Sequence, residues 1–330
     1  MNIVIASDSF KESLSSFEVG NAIKKGILKI LPQTDIEIVP VADGGEGTVE
    51  AVVKATHGRI VPVEVYDPLL RKITAFFGVT GDGLTAVIEM AAASGLPLLK
   101  PEERNPLVTS SFGTGELIAA AIEYGCRTII IGLGGSATND GGIGMMKALG
   151  AVFNNDPDFI PKGGDLGRIQ SINLENFKHK TNSVQFLIAS DVTNPLTGTD
   201  GATRIFSAQK GADERSMEFL EKNMVHYAGL MKTITGRSIS DIPGSGAAGG
   251  MGAALLAFMN AELRPGFSVI SELIHLDDKI SKTDLVITGE GKLDHQTRFG
   301  KTPSGVATIA KKFGKPVIAV AGTLGEKWET

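Results

Sequence analysis

An apolar run that opens into a polar glycine loop, repeated along the chain, most narrows what this sequence can fold into. Residues 129–133 have the unbroken apolar character of a strand buried on both faces. They empty into Gly134-Gly135-Ser136-Ala137-Thr138-Asn139-Asp140-Gly141-Gly142. In α/β proteins a strand that ends this way delivers backbone N–H groups to a ligand at the carboxyl edge of a sheet. Glycine leaves the backbone open to an approaching anion. The hydroxyls, the amide of Asn139 and the carboxylate of Asp140 exceed what a tight turn requires. A plain strand-to-helix connection with positive φ is the competing reading.

The same punctuation recurs. Residues 2–6 read as a buried strand that runs into Asp8, Ser9 and Lys11. A helix follows from about Ser16, capped by Ser15 or Ser16, with Val19, Ile23, Ile27 and Ile30 at helical spacing and Pro32 as its stop. Lys11 suits a phosphate or carboxylate and Asp8 a metal or a proton, though an N-cap with solvated charges would look alike. A strand over 36–41 ends in Asp43-Gly44-Gly45-Glu46. There Asp43 and Glu46 offer hard oxygens to a divalent cation or a hydroxyl, or else Glu46 merely favours a helix capped by Thr48. A strand over 185–190 ends in Asp191, a candidate catalytic base or metal ligand, close to Asn194-Pro195. A strand over 283–288 is expected to give way to a loop, Gly289-Glu290-Gly291-Lys292-Leu293-Asp294. Residues 242–252, with Gly249 and Gly250, read as an anion nest opening an apolar helix, or as a helix packed closely on a neighbour.

Between these ends the pattern changes. Closely spaced strands over 59–65, 73–79 and 85–90 suggest an antiparallel meander and a domain boundary near residue 60. A hydroxyl-rich stretch from Thr109 to Glu116 precedes an apolar helix over 117–124. Residues 154–182 are loop-like. A long helix over 213–235 holds His226 and Tyr227 as packing or surface residues.

Composition bounds the class. The chain has 330 residues, 42% of them hydrophobic, enough for two domains with full cores. A net charge of −5 argues against a dedicated nucleic-acid binder, yet leaves room for an anionic small ligand. The single cysteine, Cys126, excludes an intrachain disulfide and a cysteine zinc site. The 5 histidines do not cluster, so zinc hydrolysis is not expected. No apolar run reaches the ~18 residues of a membrane span. The strand at the start leaves no room for a secretory leader, so a cytoplasmic setting is expected. Two motif lookalikes fail. Gly132, Gly134 and Ala137, with Asp156 downstream, spell a dinucleotide fingerprint, but residues 139–142 would break the helix that it needs, and the helix is expected after Gly142. Phe299-Gly300-Lys301-Thr302 imitates the end of a P-loop, but His295 stands where its first glycine belongs and Pro303 follows at once.

Six motifs in order carry a resemblance. They are Asp8-Ser9-Phe10-Lys11 with Ser13-Leu14, Val41 through Thr48, Gly134 through Gly142, Asp191 with Asn194-Pro195-Leu196, Gly246 through Gly250, and Thr288-Gly289-Glu290-Gly291. Together they resemble the bacterial glycerate kinase family over essentially the whole chain. Lys292, where an arginine is expected, and Thr193, where an acidic residue is common, depart from it. The resemblance also leads one to expect more chain after the last strand.

The resemblance implies two α/β domains. A Rossmann-like domain with a mainly parallel sheet would span 1–60 plus 245–330, and a mixed-sheet domain 61–244, with the active site in the cleft between them. It implies ATP-dependent phosphorylation of D-glycerate to 2-phosphoglycerate with Mg²⁺, by a monomer or homodimer. Transfer to the other hydroxyl, giving 3-phosphoglycerate, or to a related hydroxy acid is the nearest alternative. A nucleotide-dependent oxidoreductase or a non-catalytic metabolite sensor lies further off. On this reading Asp191 accepts the hydroxyl proton, with Asp8 and Asp294 as rivals, and Lys11 counters anionic charge. Mg²⁺ is held by some of Asp43, Glu46 and Glu290. Ser9, Gly44, Gly45, Gly134, Gly135, Ser136, Asn139, Asp140, Asn194, Gly249, Gly250, Gly289 and Gly291 bind substrate or phosphate.

Overall fold

The computed structural model describes residues 1–10, 13–294, 297 and 301–325. Lys11 lies outside the described residues. The chain forms two compact units, Met1–Arg59 with Arg264–Thr330, and Ile60–Leu263. Residues 245–263, expected with the first unit, therefore belong to the second, where Ala247, Met251, Ala254 and Leu255 join its main core.

The first unit opens with β1 (Asn2–Ser7), α1 (Ser16–Leu28), β2 (Asp35–Ile38) and α2 (Thr48–Ala55). The second runs through β3 (Arg59–Tyr66), β4 (Lys72–Val79), β5 (Thr85–Glu89), α3 (Ala91–Ser94), α4 (Phe112–Tyr124), β6 (Thr128–Gly132) and α5 (Ile143–Ala148). It continues with β7 (Val152–Phe153), β8 (Ile172–Asn173), α6 (Glu175–Thr181), β9 (Gln185–Ala189), α7 (Ala202–Phe206), α8 (Glu214–Thr235), α9 (Ala247–Phe258) and β10 (Glu262–Arg264). The first unit is completed by α10 (Gly266–Leu273), α11 (Leu276–Ser281), β11 (Leu285–Leu293), α12 (Thr302–Lys312) and β12 (Val317–Leu324).

In the first unit the described strands form a parallel sheet in the order β12-β11-β1-β2. Ile3, Ile5, Ile36 and Ile287 build its core, with Ile23, Ile27 and Leu28 of α1 packed against them. Ser15 is the cap of α1. Its hydroxyl accepts the Glu18 N–H at 3.3 Å, and Glu18 accepts the Ser15 N–H at 2.9 Å. From β1 the chain crosses to one side, into β2, whereas β11 leads to β12 on the other. The carboxyl ends of β1 and β11 thus flank a topological switch point, where open α/β sheets bind ligands.

Two boundaries here differ from the expectation. β2 stops at Ile38, because Pro40 has no N–H for the ladder. β11 does not stop at Thr288 but pairs with β12 as far as Leu293↔Leu324. Gly289 and Gly291 read as loop residues from their type alone. At Gly289 a Cβ would stand 2.3 Å from the Val320 carbonyl oxygen, so the strand needs glycine to lie in the sheet.

In the second unit the described strands run β10-β9-β6-β5-β4-β3. β5, β6 and β9 are mutually parallel and β4 is antiparallel to β5, so the expected meander is the flank of a mixed sheet. Phe77, Ile88, Ile129, Ile131, Met145 and Tyr227 are wholly buried in its core. α4 starts earlier than its apolar run, at Phe112, because Asp140 anchors the preceding Ser111. The stretch 154–182 is not all loop: it carries β8, α6 and a 3₁₀ turn at Gly163–Arg168. These elements are too short to show a period.

At the start of α9, Ala248, Gly249 and Gly250 have φ of 51°, 64° and 90°. This left-handed turn is packed onto the loop after β6, with the Gly141 N–H donating to the Gly249 carbonyl at 2.9 Å. A Cβ at Gly249 would stand 2.1 Å from the Thr138 carbonyl oxygen. Gly249→Ala is therefore expected to lower stability by about 3 kcal/mol, from overpacking and left-handed strain together. Urea unfolding measures it, and an unshifted midpoint would show that the two loops separate freely.

Candidate active site

At the carboxyl ends of the first unit's strands, Asp8, Ser9, Asp43, Glu290, Gly291, Lys292 and Lys301 line one cavity of about 330 Å³. Asp8 follows β1 and is buried. One carboxylate oxygen accepts the Ser9 N–H at 2.7 Å and the other the Thr302 hydroxyl, also at 2.7 Å. Thr302 opens α12, so the charge also lies at a positive helix end. Asp43 accepts the Gly45 N–H at 3.1 Å, closing an Asx turn ahead of α2. Glu290 lies within β11, and its Oε1 accepts the Thr297 hydroxyl at 2.5 Å. Burial pushes the Glu290 carboxyl above the ordinary range. The Thr297 hydrogen bond and Lys301 oppose that shift, and the charges of Asp294 and Asp43 add to it. A buried carboxylate crowded by others is relieved by an entering cation.

The donor set suits Mg²⁺. The oxygens of Asp43 and Glu290 are hard ligands, and Mg²⁺ is commonly held by one or two carboxylates and completed by phosphate oxygens and water. A preformed cage is not built: among the described residues no group of 3 or more His, Cys, Asp or Glu side chains is gathered to hold a metal ion. Glu46 is exposed and does not line this cavity, so the expected trio with Asp43 and Glu290 is not assembled. Asp294 is half-buried, with Lys292 3.5 Å from its Oδ2. Gly44 is buried beside Asp43, and Gly289 is spent on the pairing of β11 with β12. A larger cavity, about 720 Å³, is lined from α10, α11, α12 and their caps, with no residue from a strand end. Its Glu272 and Asp277 are paired with Arg264 and Lys312, which makes it the weaker candidate.

The second unit carries the loop after β6. Gly134 and Gly135 are exposed, whereas Thr138, Asn139 and Asp140 are wholly buried. Asp140, expected to bind substrate or phosphate, instead turns inward. It accepts the Ser111 N–H and hydroxyl, each at 2.7 Å, and the N–H groups of Gly142 and Gly144 at 3.1 and 3.3 Å. Burial pushes its carboxyl up, and these donors pull it back. Asn139 donates to the Thr203 hydroxyl at 3.1 Å. Gly249 and Gly250 are buried against the same loop, leaving no open nest at their backbone. Asn194 clips its own segment, with its amide on the Asp200 carbonyl at 2.8 Å and its carbonyl accepting the Gly246 N–H at 3.0 Å. Asp191 stands exposed just past the end of β9. The helix after the lookalike fingerprint begins only at Ile143, preceded by Gly142 at φ 77°, so no helix opens where a dinucleotide would need it.

Two lysines stand out that the motifs did not supply. Lys301 belongs to the rejected P-loop lookalike, yet it caps α12 and lines the carboxylate cavity. Its one signal was a lysine before Thr-Pro at a helix start. Lys210 is wholly buried and donates to the Ser136 hydroxyl at 2.8 Å and the Thr138 carbonyl at 2.7 Å. No local pattern marks it.

Known proteins match this chain throughout. A family model described as the glycerate kinase family matches residues 3–330. Glycerate 2-kinase of Escherichia coli (strain K12) is 51% identical over 326 residues, covering 98% of this chain and 86% of that protein. Glycerate kinase of Bacillus subtilis (strain 168) is 48% identical over 326 residues, covering 98% and 85%. The crystal structure of a candidate glycerate kinase 2 from Salmonella typhimurium LT2 matches with a TM-score of 0.92 at 48% identity, covering 99% of this chain and 90% of that one.

Proposed function

This chain belongs to the glycerate kinase family, phosphotransferases with an alcohol group as acceptor, and from that premise we propose that it transfers the γ-phosphoryl group of ATP to D-glycerate, with Mg²⁺, giving 2-phosphoglycerate. The observation that carries this reading is the first-unit cavity, where Asp8, Asp43 and Glu290 share one space with Lys292 and Lys301. Phosphoryl transfer asks for such a mixture, since it is catalysed mainly by positioning and charge neutralisation. The name of the Escherichia coli relative supports the 2-position.

Asp43 and Glu290 hold Mg²⁺ through carboxylate oxygens, with Glu46 on the exposed flank of the same loop. Bound there, Mg²⁺ neutralises phosphate charge during transfer. Lys301, and Lys11 from outside the described residues, counter the remaining phosphate charge. Asp8 accepts from Ser9 and from Thr302, so its part is to order Ser9 and the first residue of α12. Asp294 restrains Lys292. In the second unit the exposed Gly134 and Gly135 offer N–H groups to an anionic group, and Asp191 accepts the hydroxyl proton. The substrates are small molecules and the setting is the cytoplasm.

A coupled ADP-release assay with D-glycerate, ATP and Mg²⁺, followed by phosphorus NMR of the product, tests this. Release is expected to require both glycerate and Mg²⁺, and the product signal to be that of 2-phosphoglycerate. Release indifferent to glycerate would overturn the acceptor, and a 3-phosphoglycerate signal the position.

A further inference from the structure

Among the described residues Lys210 is the one buried lysine or arginine. It ends a 3₁₀ turn, Ala208–Lys210, that follows α7. Its two acceptors, the Ser136 hydroxyl and the Thr138 carbonyl, bracket Ala137. The Ala137 N–H donates to the Ser94 carbonyl at 2.9 Å, and the Ala137 carbonyl accepts the Thr109 hydroxyl at 3.2 Å. On the inner side the loop after β6 is thus held by bonds from several elements. On the outer side Gly134 and Gly135 are exposed, and neither their N–H groups nor that of Ser136 bond to another described residue.

The inner side is not built for stability alone. Burying an ammonium is costly, and a methionine of similar length would fill the space without that cost. Thr138 Oγ1 and Asn139 Oδ1 are also buried without a hydrogen-bond partner, so this segment keeps polar groups where apolar ones would serve stability better. A charge kept behind an exposed row of N–H groups has an electrostatic use: it raises the potential where those groups point.

We propose that Lys210 is a positioning residue whose buried ammonium fixes the Ser136–Thr138 segment and charges the loop from behind, so that the Gly134–Gly135 backbone takes an anionic group, phosphate or carboxylate. This rests on the reading of that loop as anion-facing. The elements around it carry charged side chains, among them Asp213 at the cap of α8 and Glu102 and Glu103 ahead of Arg104. Others are Asp140 on the loop that Lys210 bonds, Arg104 in the segment whose carbonyl lies against Gly211, and Arg204 on α7, and of all these Asp140 is the one whose charge acts on Lys210. Burial pulls the Lys210 pKa down to about 7, and the negative charge of Asp140 supports the ammonium. An anion at the loop favours the charged form. Binding then takes up a proton and weakens as the pH rises from about 6 to about 9.

The test is calorimetric titration of the full chain with Mg·ATP and, separately, with D-glycerate, in buffers of different ionisation heat. Wild type is expected to take up a fraction of a proton with one of these probes and to bind it about tenfold more weakly at the alkaline end. K210M should bind that probe at least ~10-fold more weakly and show a flat pH profile, whatever its melting temperature, since it also leaves the Thr138 carbonyl without its donor. Proton exchange by the ligand itself is common to both proteins and cancels. S136A should keep the proton uptake. Wild-type affinity and pH profile in K210M would overturn the proposal. So would the absence of proton uptake by wild type with both probes, a result that needs no variant to fold. Wild type that turns over glycerate but binds both probes without pH dependence would sink the role of Lys210 and leave the kinase reading standing. Proton-linked binding without ADP release would do the reverse.

Discussion

Replacing Asp191 with asparagine is expected to lower kcat by about 10²–10⁴-fold, the usual worth of a positioned general base. Asparagine keeps the shape of the side chain and removes its ability to accept a proton. ATP is to be bound within about twofold of wild type, because the carboxylate is assigned to the hydroxyl and not to the nucleotide. The placement favours such a role: Asp191 stands exposed just past β9, which is parallel to β6 in the middle of the second unit's sheet. Steady-state kinetics with a fluorescent-nucleotide binding assay separates the two quantities. A kcat near wild type would mean that the proton leaves by another route and that Asp191 is not the base.

Glu290→Gln is expected to act on metal dependence and on stability in opposite directions. Glutamine keeps the length of the side chain and removes the charge. The Mg²⁺ concentration for half-maximal rate should rise about 10–100-fold, and kcat should fall by about 10². Stability should move the other way. Burial, with Asp294 and Asp43 in support, holds the folded-state pKa of Glu290 above its ordinary value of 4.5. The folded protein therefore binds this proton more tightly than the unfolded chain does. The stability linked to that proton is whole below pH 4.5 and is lost as the pH rises through the raised folded-state value. Melting temperatures of wild type and E290Q should thus lie close in acid and separate toward neutrality, with E290Q the higher. A lower melting temperature for E290Q at neutral pH would show that the Thr297 hydrogen bond outweighs the crowding of charge. Stability gained where activity is lost is the trade expected of a functional carboxylate.

The strands β1, β6 and β9 were legible because a strand buried on both faces must be apolar at nearly every position, and that is a local property. The cap of α1 was legible to within one residue for the same reason: Ser15 and Glu18 act on backbone groups three residues away. The end of β11 was not. Glycine is the strongest local signal for a loop, and Gly289 lies in a strand because the Val320 carbonyl, from a different strand, leaves no room for a Cβ.

The candidate site divides in the same way. Which strand ends carry carboxylates and glycines can be read along the chain, and Asp8, Asp43 and Glu290, which line one cavity, stand in such stretches. Whether a polar side chain faces a ligand or its own protein could not be read. Asp140 and Asn194 have the composition of binding residues, yet their hydrogen bonds close loops. Lys210 sits in no motif and Lys301 in a failed P-loop lookalike, and the tertiary structure puts one behind the glycine loop and the other beside Glu290. The alternation of buried strands and polar loops is written locally, because hydrophobic periodicity and capping act over a few residues. Which charges meet is settled by the fold, because a bond such as that from Thr302 to Asp8 joins residues 294 positions apart and exists only once β1 and the start of α12 are side by side.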